Sequence, residues 1–552
     1  MIRLLIGAVL VAVLAGWGAW TQRLDLLVWG LPKLLALRDP IAPNRPVSWP
    51  RGPETSTVPV AERPPNIVVI LMDDLGFNDV SFYNGGAADG SLMTPHMDSI
   101  ARDGVAFDMG YAANAVCAPS RASIMTGRYS TRFGFEYTPA FKTAATISQW
   151  MADIESPALP PVIHHDRLDD LPDDMFVLGM PSEELTVAEM LKASGYYTAH
   201  IGKWHLGTGP GMRPEEQGFD NSLNMAGTAY LPPDSPDVVN AQLPTGIDRM
   251  VWATTRYGAE FDGSEKFEPQ GYLTDYYTDH AVEVIEANRN RPFFLYLAHW
   301  GVHNPLQAKR ADYEALAHIE DHTLRVYAAM IMSLDRSVGR VLQALEDAGV
   351  ADNTLVILTS DNGGADYIGL PDVNHPYRGW KLTHFEGGTH VPFMAKWPAV
   401  VPAGMRFPAP VQHIDLLPTI AAAAGVDLPE DREIDGVDFM PFVTGATEGR
   451  PHETLFWREG YLQSVQHRDW KLITTERPQK DWLFDLSVDP TEQRNLALDE
   501  PERVAELKAL LAEHNATQMP AAWPSFIETP RLIDKHQLQD YEPGDEYAYW
   551  PN

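Results

Sequence analysis

Three short runs of aliphatic residues constrain the fold of this chain more than any other feature of its sequence. They are NIVVILM (66–72), FFLYLA (293–298) and TLVILTS (354–360). None of them shows the alternation of apolar and polar residues that a half-exposed strand shows, so both faces of each run must be covered. Strands buried on both faces are typical of parallel sheets that carry helices on each side. The runs therefore predict a mostly parallel central sheet.

Helical patterns separate these runs along the chain. The segment LTVAEMLKASG has a capping box formed by Thr186 and Glu189, and Gly195 lies where a C-terminal cap belongs. A longer pattern, HTLRVYAAMIMSLDRSVGRVLQALEDAG, ends at Gly349 just before the third run. Strand–helix–strand alternation predicts an α/β fold, with one large domain over residues 66–449 whose central sheet is flanked by helices.

The pattern changes after about residue 450. Three strand-like segments, TLFWREG, LQSVQHRDWKLITTE and DWLFDLS, precede one helical segment, EPERVAELKALLAEHN. This order predicts a small C-terminal α+β domain with an antiparallel sheet over residues 450–518. Residues 519–552 are rich in aromatic residues and proline and give no secondary-structure signal, so we expect this tail to pack against the surface.

The N-terminus carries a run of uncharged residues, LLIGAVLVAVLAGWGAW (4–20). As a helix this run would be about 25 Å long, just short of a typical hydrocarbon core. Residues 1–39 could therefore hold a signal peptide or a retained membrane anchor. The absence of an Ala-x-Ala-like cleavage site favours the anchor, and Arg3 favours an inside N-terminus.

This N-terminus predicts an exported protein, periplasmic or on the extracellular face, that is tethered to a membrane. A second apolar stretch, LDLLVWGLPKLLAL (24–37), could lie along the membrane interface. Residues 40–65 are rich in proline and predict an extended linker.

The charge of the chain excludes one class of partner. Its 75 acidic and 42 basic residues give a formal net charge of −33. A nucleic-acid surface needs a basic face to neutralise phosphates, so no nucleic acid is expected to bind.

The single cysteine, Cys117, excludes an intramolecular disulfide, and cysteine usage therefore does not indicate the redox compartment.

Polar residues follow each strand-like run directly. They are Asp73 and Asp74 after the first run, His299 and His303 after the second, Asp361 and Asn362 after the third, and Lys203 and His205 after a shorter run, YYTAHIG. Any one of them could be a helix cap or a turn residue. Together, three carboxylates and one amide oxygen form a hard ligand set that suits Ca²⁺ or Mg²⁺ and not zinc. Without a cation, these carboxylates would repel one another.

The cysteine lies in CAPSRASIMTGR (117–128). Pro119 restrains the backbone, and the residues after it, ASIMTG (122–127), could form a short helix. A side chain just ahead of a helix faces free N–H groups and the positive end of the helix dipole, which favours an anion. Arg121 adds a bidentate donor for a tetrahedral oxyanion. A lone cysteine is usually a buried, inert side chain, but these neighbours favour a role in an anion site.

Two motifs resemble those of the sulfatase family. They are Cys117-x-Pro119-Ser120-Arg121 followed by Thr126-Gly127-Arg128, and Gly195-Tyr-Tyr-Thr198 followed by Gly202-Lys203-Trp204-His205. The resemblance extends from about residue 66 to about residue 515. The runs FLYLAHWGVHNPLQ and DNGG…YRGWK…FEGG look most similar to arylsulfatases of the N-acetylgalactosamine-4-sulfatase type. Residues 138–179 match no family motif, and we expect His164 and His165 to face solvent.

The resemblance implies a sulfuric ester hydrolase with an alkaline-phosphatase-like fold. In such enzymes a formylglycine-generating maturation enzyme oxidises the motif cysteine, and the hydrated aldehyde is the nucleophile, so Cys117 would be a precursor. One divalent cation is implied, with calcium expected ahead of magnesium. Its ligands would be Asp73, Asp74, residue 117, Asp361 and Asn362.

The resemblance also assigns roles to cationic side chains. Arg121 and Lys203 would position the hydrate and the sulfate. His205 would take a proton from the sulfated diol and so expel sulfate. His303 and Lys381 would hold the ester and help the alkoxide leave. The implied substrate is a sulfate monoester, and export favours a sulfated saccharide, with chain ends or oligosaccharides favoured because this chain is itself strongly negative.

Two other functions stay open from the sequence. A phosphodiesterase or phosphonate monoester hydrolase of the same superfamily could use the same cysteine-derived aldehyde. A two-zinc phosphatase is disfavoured because no second set of His and Asp ligands is visible. The other alternative is a tethered protein that binds sulfated glycans without catalysis, although a complete set of catalytic residues disfavours it.

Overall fold

The computed structural model describes residues 23–56, 58–139, 160–165, 171–172 and 174–552. The strands are β1 Asn66–Met72, β2 Val105–Phe107, β3 Gly110–Tyr111, β4 Ile163–His164, β5 Tyr197–Gly202, β6 Asn221–Met225, β7 Val238–Ala241, β8 Ala259–Phe261, β9 Phe293–Ala298, β10 Leu306–Lys309, β11 Thr354–Ser360, β12 Phe393–Lys396, β13 Met405–Phe407, β14 Val411–Gln412, β15 Thr454–Glu459, β16 Leu462–His467, β17 Trp470–Glu476, β18 Gln479–Asp485, β19 Ile527–Leu532 and β20 Tyr547–Pro551. The helices are α1 Arg23–Arg38, α2 Ser81–Asn84, α3 Pro95–Arg102, α4 Cys117–Thr126, α5 Val187–Ala193, α6 Gly246–Thr254, α7 Leu273–Asn288, α8 Arg310–Ala315, α9 His322–Asp347, α10 Glu386–Thr389, α11 Leu416–Ala424, α12 Met440–Val443 and α13 Pro501–Asn515.

The largest sheet has nine strands in the order β13-β2-β12-β11-β1-β9-β5-β6-β8. Its middle strands, from β11 to β6, are parallel, whereas β12 and β8 join it antiparallel. The three apolar runs are its adjacent strands β11, β1 and β9, and Val68 of β1 lies opposite both Val356 and Leu295. The predicted α/β fold with a mostly parallel central sheet is confirmed.

Both faces of this sheet are covered, as its uniformly apolar strands require. In β1, Val68 and Ile70 face a core shared with helices α7 and α9. Ile67 and Val69 face a second core shared with α4, α5 and α11. Because neither face of the central strands meets solvent, polar side chains gather where the strands end.

The C-terminal part contains the predicted antiparallel sheet. Strands β15 to β18 pair in sequence order, and Leu507 and Leu511 of α13 pack against one face. The other face meets the catalytic part of the chain, where Phe385 packs edge-on against Trp482 with ring centroids 5.4 Å apart. The predicted small α+β unit is confirmed.

Residues 519–552 give no secondary-structure signal in the sequence, yet they contain two strands. β19 pairs with β20 and with β4, and Trp523 and Phe526 are buried. The expectation that His164 and His165 face solvent is wrong. Both are half-buried beside β19, and His165 Nε2 lies 2.6 Å from Glu528 Oε1. The reason is that the C-terminal strands cover this segment.

The apolar run 4–20, and with it the predicted signal peptide or anchor, lies outside the described residues. Across the residues that the structure describes, every helix is too short or too polar to span a membrane. Residues 24–37 belong to helix α1. The predicted linker, residues 40–65, packs along the catalytic domain. Its Trp49 is 6% exposed and donates from Nε1 to His280 Nδ1 at 3.2 Å.

Candidate active site

The carboxyl ends of β11, β1, β9 and β5 lie along one edge of the large sheet because these neighbouring strands are parallel. The polar residues that follow these strands therefore come together, as ligands do at the carboxyl edge of such sheets. Helix α4 adds the side chains of Cys117 and Arg121, and the segment after β11 adds that of Lys381. The cluster joins every predicted site residue: Asp73, Asp74, Cys117, Arg121, Lys203, His205, His303, Asp361, Asn362 and Lys381.

Four possible metal-ligating side chains lie at the centre of this cluster, and they include His303 but not the predicted ligand Asp361. One ligand atom from each of Asp73, Asp74, Cys117 and His303 lies within 4.8 Å of the others. That spacing suits a single ion with metal–oxygen bonds of about 2.3–2.6 Å. Asn362 donates from Nδ2 to Asp74 Oδ1 at 2.8 Å, which leaves its own Oδ1 buried without a partner.

Two lysines neutralise the paired aspartates. Lys203 Nζ lies 2.6 Å from Asp73 Oδ2, and Lys381 Nζ lies 2.6 Å from Asp74 Oδ1. Burial alone would raise the pKa of Asp74, but the Lys381 ammonium and then His303 hold that pKa well below its usual range. Burial, followed by the charge of Asp73, raises the pKa of Asp361. The three carboxylates of this edge are matched in number by three cationic side chains, those of Lys203, Lys381 and Arg121.

Cys117 is the first residue of helix α4, so the helix begins five residues before the predicted ASIMTG segment. Pro119 fits within the first turn because its missing N–H has no helical partner there. The thiol is 2% exposed, and its Sγ lies 3.1 Å from Lys381 Nζ and 3.4 Å from Asp73 Oδ1. Burial, and then the charge of Asp361, raises the pKa of this thiol. The encoded side chain is therefore a neutral thiol and a weak nucleophile at neutral pH.

Arg121 is fully buried and contacts the carboxylates. Its Nε donates to Asp361 Oδ2 at 2.8 Å, its Nη1 donates to the Lys203 carbonyl at 2.8 Å, and its Nη2 lies 3.4 Å from Asp73 Oδ2. Burial opposes its charge, but Asp361 and then Asp73 raise its pKa. These contacts hold two carboxylates and the Lys203 backbone, and Nη2 has no hydrogen-bond partner among the residues that the structure describes. The role of Arg121 in positioning the hydrate and the sulfate stays a prediction.

The two histidines of the site are neutral. Burial, followed by Lys203 and Arg121, lowers the pKa of His205. Burial lowers the pKa of His303 to about 3, although Asp74 opposes this shift. His303 Nδ1 lies 2.8 Å from the Asn304 carbonyl and must donate to it, so Nε2 is the nitrogen that faces Asp74 Oδ2 at 3.7 Å.

Backbone strain is concentrated at this edge of the sheet. Asp74, His205 and Leu382, the residue after Lys381, have φ values of +61°, +63° and +72°. Non-glycine residues rarely adopt this left-handed region, and such outliers persist only where the surroundings hold them. These strained backbone conformations orient side chains of the site. Residue-type propensities alone do not predict them.

Two contacting residues are missed by the sequence analysis. The Tyr367 hydroxyl donates to Asp74 Oδ2 at 3.0 Å, and the Trp300 ring stacks on His303 with centroids 4.0 Å apart. Trp300 follows His299 at a strand end and could have been found there, whereas Tyr367 lies in a loop without a pattern. His299 itself is not in the site, because its ring is buried and its Nε2 lies 2.9 Å from Ser337 Oγ.

This combination of a carboxylate-lined ion position and buried cations at the carboxyl edge of an alkaline-phosphatase-like sheet defines a hydrolase of anionic esters. The chain belongs to the sulfatase family, since the model described as Sulfatase matches residues 65–426. A second model, described as N-sulphoglucosamine sulphohydrolase, C-terminal, matches residues 379–518.

Two relatives named as sulfatases match most of this chain. The N-acetylgalactosamine-6-sulfatase of Homo sapiens is 31% identical, over 84% of this chain and 87% of its own. The steryl-sulfatase of Mus musculus is 30% identical, over 87% and 86%. The crystal structure of Ps i-CgsB superposes with a TM-score of 0.69 at 29% identity, over 84% of this chain and 95% of that chain, and this protein is also known in complex with k-i-k-neocarrahexaose.

These similarities decide the class of reaction. The chain is a sulfuric ester hydrolase, and neither the phosphate-ester hydrolase nor the inactive glycan-binding protein is retained. The specific likeness to the N-acetylgalactosamine-4-sulfatase type stays a prediction.

Proposed function

We propose that this sulfatase cleaves sulfate monoesters of saccharides with residue 117 in its formylglycine form and one divalent cation beside it. The observation that carries the proposal is the position of Cys117. Its Sγ lies at the N-terminus of α4, within 3.1–3.9 Å of Lys381, Asp73 and Asp74. An atom there is surrounded by the cations and carboxylates that a reaction at an anionic sulfur centre requires.

The donor set fits a hard cation. Asp73, Asp74, Asp361 and Asn362 offer oxygen atoms, and the buried, unpartnered Oδ1 of Asn362 is available once its amide rotates. We expect calcium ahead of magnesium. When bound, the ion would polarise a sulfate oxygen and offset the charge of the carboxylates. The residues that would hold it are those four and the modified residue 117.

The chain's own cations would bind and orient the ester. Lys203 and Lys381 are buried beside residue 117 and would neutralise the sulfate oxygens, while Arg121 keeps Asp73 and Asp361 in place. Residue 117, oxidised to the aldehyde and hydrated, would supply the attacking hydroxyl. To bind the sulfate, Lys203 and Lys381 must give up part of their contact with Asp73 and Asp74.

The histidines would move the protons. Burial depresses the pKa of His205, so its imidazole can accept a proton from the remaining hydroxyl of the sulfated diol at residue 117. Sulfate would then leave and the aldehyde would re-form. His303 must carry a proton on Nε2 to protonate a leaving alkoxide. Burial depresses its pKa to about 3, and the negative charge of a bound ester would raise this pKa towards the value that proton donation needs.

Support for a saccharide comes from a similar protein, since Ps i-CgsB is known in complex with k-i-k-neocarrahexaose. A steryl-sulfatase is also among the relatives, so the family alone does not select the alcohol. The net charge of −33 favours short or terminal saccharides over long polyanions. A screen of sulfated mono- and oligosaccharides beside a steryl sulfate tests this part of the proposal.

The test of the mechanism is peptide mass spectrometry on the full chain, expressed with and without a formylglycine-generating maturation enzyme. The peptide with residue 117 should be about 18 Da lighter after maturation, and activity towards an aryl sulfate should rise with the converted fraction. Full activity in protein whose Cys117 is an intact thiol would refute the proposed nucleophile.

The metal is tested separately with Asp361→Asn, which keeps an oxygen for Arg121 but removes the charge. We expect this variant to lose the bound divalent ion, measured by atomic emission on purified protein. The matched control is Asp366→Asn, a buried carboxylate paired with Arg531 outside the ligand set. An unchanged metal content in Asp361→Asn would place the ion elsewhere.

A further inference from the structure

Helix α1 carries a stripe of exposed apolar side chains. Leu26, Trp29, Leu34 and Leu37 are 49, 67, 59 and 84% exposed. At 3.6 residues per turn they lie within about 140° of arc around the helix axis. The exposed Lys33 lies within the same arc, between Trp29 and Leu37. Single exposed apolar residues are ordinary, but four on one side of a helix mark a surface that meets another apolar phase.

The stripe has a fixed orientation because α1 is tied to the catalytic domain. Asp39, just after the helix, accepts from Lys266 Nζ at 2.7 Å and lies 3.2 Å from Arg256 Nη1. The Ala42 N–H donates to the Lys266 carbonyl at 2.8 Å. Along its length the helix packs against α6. These contacts make α1 part of the folded body.

The charge around this stripe is opposite to that of the remaining chain. Residues 1–51 contain six basic and two acidic side chains, a net charge of +4, whereas the whole chain carries −33. On the helix, the Lys33 ammonium lies 3.4 Å from the centroid of the Trp29 ring. Basic residues beside apolar ones are attracted to anionic lipid headgroups.

We propose that α1 lies on the surface of a lipid bilayer, with Leu26, Trp29, Leu34 and Leu37 at the boundary between headgroups and acyl chains. The sequence that precedes α1 favours a bilayer over a second copy of the protein. The residues just before α1 include the uncharged run 4–20, which could enter the same acyl layer. A second copy of this acidic protein would offer negative charge to the basic residues, but it would offer no apolar layer for residues 4–20.

The consequence is that the active site is held near the membrane. Helix α6 packs against α1 and also against residues 366–368. In that segment Tyr367 donates to Asp74. Helix α6 and residues 366–368 therefore connect α1 to the segment that contacts the ion position. Sulfate esters carried at the membrane surface would meet the site at high local concentration. The placement of α1 does not rest on the proposed catalytic chemistry.

The test uses the full chain with one added cysteine. Leu37→Cys is labelled with a bimane fluorophore and mixed with phosphatidylethanolamine–phosphatidylglycerol vesicles whose acyl chains are brominated. Leu498→Cys, 96% exposed on the C-terminal domain, is the matched control. The parent chain gives the background, since Cys117 is 2% exposed. Hydrolysis of an aryl sulfate verifies that each variant is folded.

We expect the probe at position 37 to lose about half of its fluorescence or more, and the probe at position 498 to keep it, because an interfacial helix sits about 5–10 Å into the boundary layer. Equal fluorescence at both positions in vesicle-bound protein would overturn the proposal. So would protein that fails to bind the vesicles. An unquenched probe at position 37, together with a disulfide between two copies in an unlabelled sample of Leu37→Cys treated with a mild oxidant, would overturn it in favour of a dimer.

Discussion

Asp74 accepts hydrogen bonds from three separate parts of the chain. Lys381 and Asn362 donate to Oδ1 at 2.6 and 2.8 Å, and the Tyr367 hydroxyl donates to Oδ2 at 3.0 Å. Its backbone has a φ of +61°, a conformation that costs of order 1–3 kcal/mol. The three donors offset this cost and fix the carboxylate, so Tyr367, which has no assigned contact with substrate, can still control the ion position.

Tyr367→Phe should weaken metal binding without unfolding the protein. The ring stays packed, but Asp74 loses the donor that orients Oδ2, and the loss of such an outer partner lowers metal affinity by about 10–100-fold. Chelator competition on the matured full chain measures the effect. Tyr196→Phe is the matched control, since it removes a hydroxyl that donates to the Pro65 carbonyl away from the site. Equal affinities in Tyr367→Phe and wild type would contradict the assigned role.

The sequence predicts Asp73, Asp74 and Asp361 as ligands because each directly follows an apolar strand, and parallel strands place their ends together. It cannot predict Tyr367, because the path of residues 364–374 has no periodicity. It also assigns Arg121 to the anion. The structure adds that the same guanidinium contacts Asp361 and Asp73, and these contacts depend on distances that only the folded chain sets.

At the element scale, the strand ends approach one another very closely. Gly301, three residues after β9, has a φ of +63°, and a Cβ there would lie 2.3 Å from the Asp73 nitrogen and 2.4 Å from its oxygen. No side chain fits between these two backbones. The loop after β9 therefore sets the position of Asp73 directly.

Gly301→Ala should displace the end of β1 and abolish both metal binding and activity, with a loss of stability above about 3 kcal/mol. Gly349→Ala is the matched control. Its φ is +69° and its Cβ would meet no atom within 4 Å, so it carries only the conformational cost of about 1 kcal/mol. Thermal unfolding and aryl-sulfate turnover compare the two. Similar losses of stability and turnover in both variants would contradict a steric effect at Gly301.

Regular elements follow the sequence pattern where the pattern is strong. The three apolar strands and the helix after Thr186 have the predicted bounds because period and capping agree there. Strands β19 and β20 are missed. Their residues alternate poorly and contain proline, and the pairing of β19 with β4 joins segments more than 360 residues apart.

At the scale of the whole molecule, a buried ionic group joins the C-terminal sheet to the catalytic domain. Lys471 of β17 lies 2.6 Å from Glu386 Oε1 on α10 and 3.0 Å from Glu492 Oε1, and all three side chains are at most 2% exposed. Glu386 follows Lys381 by only five residues. The C-terminal sheet thus supports the segment that delivers a site lysine, a connection between domains that no local sequence pattern reveals.

Lys471→Met should cost about 3–5 kcal/mol of stability, because it leaves two carboxylates buried without a counter-charge. Burial already raises the pKa of Glu492 to about 7. Loss of the lysine would raise it further, so the variant should be less destabilised at pH 5, where Glu492 is protonated, than at pH 8. Thermal unfolding at both pH values measures the difference.

Lys508→Met is the matched control, since its pair with Asp481 is about half exposed at 2.7 Å and should contribute about 1 kcal/mol or less. If the two lysine variants were equally stable at pH 8, the buried group would not hold the domains together.

The burial of Cys117 sets the order of events in biosynthesis. With 2% of its surface accessible at the start of α4, this thiol cannot enter the catalytic cleft of another enzyme while the sheet and helices around it are formed. If residue 117 is oxidised as proposed, the oxidation has to happen on the nascent or still unfolded polypeptide. Purified thiol-form protein should then resist late conversion until it is denatured, and rapid conversion of the native form would show that the helix opens.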